Sequence, residues 1–134
     1  EILVERSKQE PAKGTLYLPC GFTQIGETSE EGLAREVMEE TGLKVTDAKY
    51  LFSLPNIYRY SGIDIHTLDM FYLCEVEDDS VVAAGDDAAD CMWLNPDDIH
   101  TEQFGLRSVR WGLIKFLERQ DRFTSAEEAQ AKRV

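Results

Sequence analysis

No apolar run in this 134-residue chain approaches the roughly 20 residues needed to span a bilayer. The opening residues, Glu1 to Arg6, have neither the basic start nor the apolar stretch of a signal peptide. No membrane partner is therefore expected, and the expected location is cytoplasmic. A starting Met is also missing, and the chain opens inside a strand-like run, so some natural N-terminal sequence is expected to be absent. Cysteine is scarce: Cys20, Cys74 and Cys91 are widely spaced and form no C-x-x-C pair, which suits reduced thiols and excludes a zinc framework. His66 and His100 are too few and too far apart for a histidine metal site and read as surface or structural residues. Positive charge is short as well. With 14 basic against 26 acidic residues the formal net charge is −12, which repels nucleic acid polymers and leaves no basic stripe to hold one. A small anionic ligand would need divalent cations to neutralise the carboxylates around it.

What is present suits one domain, expected over residues 1–134, with a polar tail from 125 to 134. Ile2 to Arg6 reads as a strand, and Thr15-Leu16-Tyr17-Leu18 as a second, stopped by Pro19 and Gly21. Thr28 followed by Glu31 predicts a capping box, opening a helix that ends at Gly42. Val45 to Leu54 and Ile63 to Val76 are β-rich, and Pro55, Asn56, Ser61 and Gly62 between them predict a long hairpin loop. Residues 77–90 form an acidic loop. A short strand follows at Cys91 to Leu94, then a helical turn at Asn95-Pro96-Asp97. Leu106, Val109, Leu113, Phe116 and Leu117 recur at helical spacing. The predicted class is α+β, an α/β/α sandwich.

On a helical wheel at about 100° per residue, Glu40 and Glu39 lie about 40° and about 60° to either side of Glu36. Leu33, Ala34, Val37, Met38 and Thr41 occupy the packing arc. Three convergent carboxylates repel one another, and oxygen-preferring Mg²⁺ or Mn²⁺ would relieve that repulsion. A solvated acidic face is the plainer explanation of the carboxylates alone.

The residues around them argue otherwise. Gly21, Glu27, Arg35, Glu36, Val37, Glu39, Glu40, Gly42 and Leu43 fill every defined position of G-x5-E-x7-R-E-U-x-E-E-x-G-U, with U aliphatic. This segment resembles the Nudix box, and the order of Leu18-Pro19 before it and Trp93 to Ile99 after it extends the resemblance across most of the chain. Resemblance implies the Nudix fold, a mixed sheet between helices with the box as loop–helix–loop, and hydrolysis of a pyrophosphate bond by metal-activated water. Carried over, Glu36, Glu39 and Glu40 bind Mg²⁺ or Mn²⁺, while Arg35 and Glu27 fix the geometry. Glu39 or Glu40 would serve as base, or an acid in a later loop, where Asp86, Asp87 and Asp90 stand here.

Two departures qualify the match. The usual Gly-Gly pair is Cys20-Gly21 here, and the backbone carbonyl at position 20 is the one expected to ligate the metal. A Cys would be strained there if the turn needs positive φ. Gly32, inside the helix, reads as neutral drift rather than as a point of close approach. Substrate choice lies outside the box. Ser53, Pro55 and Ser61 match part of the downstream signature of NADH pyrophosphatases, although its Gln, Trp and two prolines are missing. Tyr58 and Tyr60 suggest stacking on a base, as tyrosines after the box do in dinucleoside polyphosphate hydrolases, with Arg59 meeting a phosphate. An ordinary aromatic hairpin is the alternative.

The resulting expectation is hydrolysis of a nucleoside diphosphate linked to another group, NADH-like or ADP-ribose-like. The rivals are a nucleoside triphosphate pyrophosphohydrolase and a non-catalytic ligand-sensing module. The expected partner is a small nucleotide, with a homodimer left open.

Overall fold

Alternation in the first strand decides the layering. A computed structural model describes residues 1–7, 14–78 and 88–121. Strand β1 (Ile2–Ser7) lies between β2 (Leu16–Tyr17) and β5 (Ala88–Leu94), antiparallel to both. Successive side chains point to opposite faces, so Val4 joins Leu16, Ile99, Phe104, Val109 and Leu113 in one core. Leu3 joins Val37 and Leu43 in another. Helix α2 (Arg107–Asp121) supplies the first core and α1 (Ser29–Thr41) supplies the second. The sheet is thus covered on both faces, as a sandwich requires, and the α+β class stands. Every strand pairing among the described residues is antiparallel; parallel pairing occurs as an isolated bridge between Leu16 and Phe104.

Helix α1 begins and ends where its sequence says it should. The Thr28 side chain accepts from the Glu31 N–H at 3.1 Å, and Glu31 Oε1 accepts from the Thr28 N–H at 3.0 Å, completing the capping box. Gly42 terminates the helix in the left-handed region at φ 76°, and its N–H donates to the Met38 carbonyl. Val37 and Thr41 are buried as the wheel requires, but Met38 is 46% exposed. The apolar arc is therefore narrower than the pattern implied. Asn95 caps a 3₁₀ turn at Pro96–Asp98, with its side chain accepting from the Asp97 N–H.

The predicted long loop after Leu54 does not exist. Strand β3 (Val45–Tyr60) continues to a two-residue turn, Ser61-Gly62, and β4 (Ile63–Val76) returns from it. Ser61 and Gly62 have φ of 52° and 80°, the double positive φ of a type I′ turn, whose twist matches a tight hairpin. Pro55 lies opposite Leu68 in an exposed stretch of a ribbon paired with no third strand among the described residues. A proline is tolerated on such an edge, so it did not break the strand.

A Ser at φ 52° is less comfortable than Asn, which tolerates the left-handed region. Ser61→Asn should stabilise the protein by about 0.5 kcal/mol, read from urea unfolding. A lower midpoint would mean that this turn does not hold the ribbon.

Candidate active site

Arg35 organises the loop–helix motif. Its Nε donates to Glu27 Oε2 at 2.7 Å and its Nη2 to Glu27 Oε1 at 3.0 Å. Nη1 reaches Glu36 Oε1 at 2.8 Å and Glu39 Oε2 at 3.2 Å, while Nη2 also donates to the Phe22 carbonyl at 3.1 Å. One planar fork therefore ties the loop before the helix to two acids on it. Glu27 also accepts from the Gln24 N–H at 2.7 Å. The hydrogen bond from Arg35, followed by that backbone bond, holds the Glu27 carboxyl below its ordinary range.

Two glycines make room for this arrangement. A Cβ on Gly21 would collide with the Glu36 carboxylate, so position 21 needs space, not special φ. A Cβ on Gly32 would meet Thr23 Cγ2 at 2.9 Å and Glu27 Oε1 at 3.2 Å. Gly32 is thus a point of close approach of the loop onto the helix, which corrects the reading of neutral drift.

Glu40 turns away from Arg35. Its Oε2 accepts from the Cys20 N–H at 3.1 Å, and its carboxyl meets that of Glu5 in a hydrogen bond. Glu5 is fully buried in the middle of β1, with Cys91 Sγ donating to its Oε1 at 3.7 Å. Burial first, then the negative charge of Glu5, pushes the Glu40 carboxyl well above the usual carboxylate range. Sequence reasoning overlooked Glu5. The one available signal was an acid on the inward-facing side of a strand whose first half is apolar, in phase with Leu3.

Cys20 is not among the positive-φ residues, so replacing the usual glycine brings no left-handed strain. Although the residue keeps exposed surface, its thiol is crowded. That desolvation, followed by the charges of Glu40, Glu5, Asp69 and Glu36, pushes it up to about 12. A thiol so poised stays protonated near neutral pH and is no nucleophile, which leaves Cys20 its backbone groups.

The expected convergence of Glu36, Glu39 and Glu40 is only partial. Glu36 and Glu39 share Arg35, Glu40 faces Glu5, and no three acidic, Cys or His side chains among the described residues are arranged to hold one ion. The donor chemistry nevertheless fits a hard cation, since all three offer carboxylate oxygens within one turn of α1, beside the space that Gly21 leaves open. Turning the 58%-exposed Glu39 side chain needs only side-chain rotation, while Glu40 already stands at the Cys20 turn.

The proposed substrate residues separate. Tyr58 packs edge-on against Phe22, with ring centroids 5.6 Å apart at 83°, so the box loop and the ribbon meet through an aromatic pair. Arg59, next along the strand, projects from the opposite face. There it pairs with Asp64 Oδ1 at 3.0 Å and the Gly62 carbonyl at 3.3 Å. The expectation of an aromatic wall and a cation side by side therefore fails: strand alternation divides Tyr58 from Arg59. The Tyr60 side chain lies outside the described residues, as do Asp86 and Asp87, and Asp90 is described only through its backbone in β5.

The Glu5–Glu40 pair has a pH signature. A carboxyl whose folded value is raised lends stability that is full below its unfolded value and is lost as pH rises through the folded one. The metal-free protein should therefore melt progressively lower from about pH 5 to about pH 9, and Glu40→Gln should flatten that slope. Parallel slopes in a pH series of melting curves would contradict the pairing.

The NUDIX domain family model matches residues 2–118. The chain is 34% identical over 97 residues to the ADP-ribose pyrophosphatase of Methanocaldococcus jannaschii, covering 71% of this chain and 54% of that protein. It is 33% identical over 80 residues to the NAD-capped RNA hydrolase NudC of Salmonella agona, covering 60% of this chain and 29% of that one. It thus spans about half of the first relative and under a third of the second. Among solved structures, a NUDIX hydrolase from Nitrosomonas europaea superposes with a TM-score of 0.69 at 20% identity, over 89% of this chain and 64% of that one. The NUDIX domain of Shewanella oneidensis NrtR, solved with ADP ribose, gives a TM-score of 0.56 at 21% identity, over 89% and 75%. These structural likenesses bear on the fold alone. With the box complete, its arginine clamp assembled and the family model matched from β1 through most of α2, this chain belongs to the NUDIX domain family.

Proposed function

We propose that this chain hydrolyses the pyrophosphate bond of a nucleoside diphosphate joined to a second group, with ADP-ribose and NADH as the favoured kinds of substrate. The carrying observation is the Arg35 clamp, which draws Glu27, Glu36 and Glu39 together and holds the Phe22 carbonyl. Phe22 then places an exposed ring against Tyr58. Acids for the phosphate chemistry and a flat seat for a base or nicotinamide thus lie on one short segment. The relatives named for ADP-ribose and for NAD caps support this substrate kind. The −12 charge favours a free dinucleotide over a capped RNA, whose polymer it repels.

In this reading Glu36, Glu39 and Glu40 would hold Mg²⁺ or Mn²⁺, aided by the Cys20 carbonyl. When bound, the ion would supply charge to offset the phosphates and to acidify the attacking water. Arg35 and Glu27 keep the helix acids aligned. Glu39, more exposed than Glu36 and not tied up with Glu5, takes the proton from the water. Phe22 and Tyr58 orient the ring so that the pyrophosphate lies over the helix. The reaction site is expected in the cytoplasm.

Glu36→Gln and Glu39→Gln should each lower kcat by orders of magnitude with the fold intact, measured with ADP-ribose and saturating Mg²⁺. Near-normal turnover would remove the residue from the mechanism. Tyr58→Ala should chiefly raise KM, by about 5- to 150-fold if stacking is worth on the order of 1–3 kcal/mol. An unchanged KM for ADP-ribose and NADH would return Tyr58 to a structural role. The proposal as a whole is tested by a panel of ADP-ribose, NADH, NAD-capped RNA and dGTP. Preferred cleavage of dGTP would point to triphosphate hydrolysis, and binding of ADP-ribose without cleavage would point to a sensing module.

A further inference from the structure

We infer that Glu5 is a positioning residue that anchors Glu40 to the turn at Cys20 and so sets where the third box carboxylate stands when a divalent cation is taken up. The inference rests on the cation site proposed above. Its geometry is independent of the Arg35 clamp. Glu5 comes from β1, on the sheet, and is fully buried between the strand neighbours Tyr17 and Cys91. Packing alone does not call for an acid there: the same face of β1 carries Leu3 two residues earlier, and an apolar side chain would fill the position without the cost of burying a carboxyl. Glu5 instead engages Glu40 and, through Oε1, Cys91. Glu40 is thereby fixed from two sides, by the Glu5 carboxyl and by the Cys20 N–H. It is also fixed at the residue whose carbonyl the Nudix resemblance makes a ligand. A long glutamate left free on a helix face spreads over several rotamers; one held at the backbone of position 20 keeps an oxygen beside the Cys20 peptide. Partners that orient ligands in this way commonly change metal affinity by about 10- to 100-fold when removed.

The test measures Mn²⁺ binding without substrate, by electron paramagnetic resonance of the free ion, alongside melting of the metal-free protein. Glu5→Gln retains a donor that reaches Glu40, and its Mn²⁺ affinity should stay within about threefold of the unaltered protein. Glu5→Met matches the length but cannot hydrogen-bond, and its affinity should fall by about 10-fold or more. Its melting temperature should rise or hold, because the fully buried carboxyl of Glu5 is replaced by an apolar side chain of similar length. That opposition separates positioning from a merely structural role, in which affinity and stability would fall together. Should the Met variant not fold, Glu5→Asp, too short by one methylene to reach Glu40 as Glu5 does, should show the same loss. Equal Mn²⁺ affinity in all variants overturns the inference, and so does an equal loss in Gln and Met. If the unaltered protein takes up no Mn²⁺, the cation reading itself falls and this one with it. Normal uptake that is indifferent to residue 5 removes only Glu5.

Discussion

Crowded negative charge around one helix is the constraint to which the rest of the structure answers. Glu36, Glu39 and Glu40 occupy a single turn of α1, with Glu27 brought against them by the preceding loop and Glu5 by the sheet below. Repulsion among acids this close would fray the helix or splay the loop. Two devices contain it. The Arg35 guanidinium spreads its donors over Glu27, Glu36 and Glu39, and Glu40 is drawn instead against Glu5, where burial and the neighbouring charge favour its neutral form. The absence of side chains at 21 and 32 lets the loop lie flat enough for the guanidinium to reach both segments. Capping at Thr28 and termination at Gly42 fix the ends, so the acids do not slide out of register.

How much of this could be read beforehand follows from the range of the forces involved. The capping box and the left-handed stop at Gly42 depend on residues a few positions apart, and a local pattern encodes them, whereas the pairing of Arg35 with Glu27 was expected from the Nudix resemblance. Strand β1 and helix α2 were legible from periodicity for the same reason. Glu5 was not, because its partner lies 35 positions away and only the folding of β1 beneath α1 brings them together. Met38 fell within the apolar arc but is 46% exposed, since none of the described elements covers that edge of the helix. Pro55 was read as a strand breaker, yet an exposed edge makes no demand on its missing N–H. Once the strand ran on, period-two alternation separated Tyr58 from Arg59, a consequence that a loop assignment hides.

The two halves of the candidate site are built to different standards. The acids stand on a helix capped at both ends and packed through Val37 and Leu43 into the sheet. The aromatic seat joins the loop residue Phe22 to a ribbon whose outer third, from Ile57 to Ile65, exposes much of its apolar surface. The division suits a reaction in which phosphate geometry does not change from one substrate to the next while the attached group does.

The hairpin turn at Ser61-Gly62 has a mechanical consequence. A strand rises about 3.3 Å per residue, so Tyr58 sits only about 10 Å from the tip of a two-stranded cantilever clamped at its base by Phe52, Phe71 and α2. Paired strands without a third neighbour bend and twist more readily than a full sheet. On the proposed reading, the Phe22–Tyr58 pair would tilt to accept a different planar group while the carboxylates stay put. Lengthening or stiffening this beam, rather than altering the box, is the route by which such a scaffold would change its clientele.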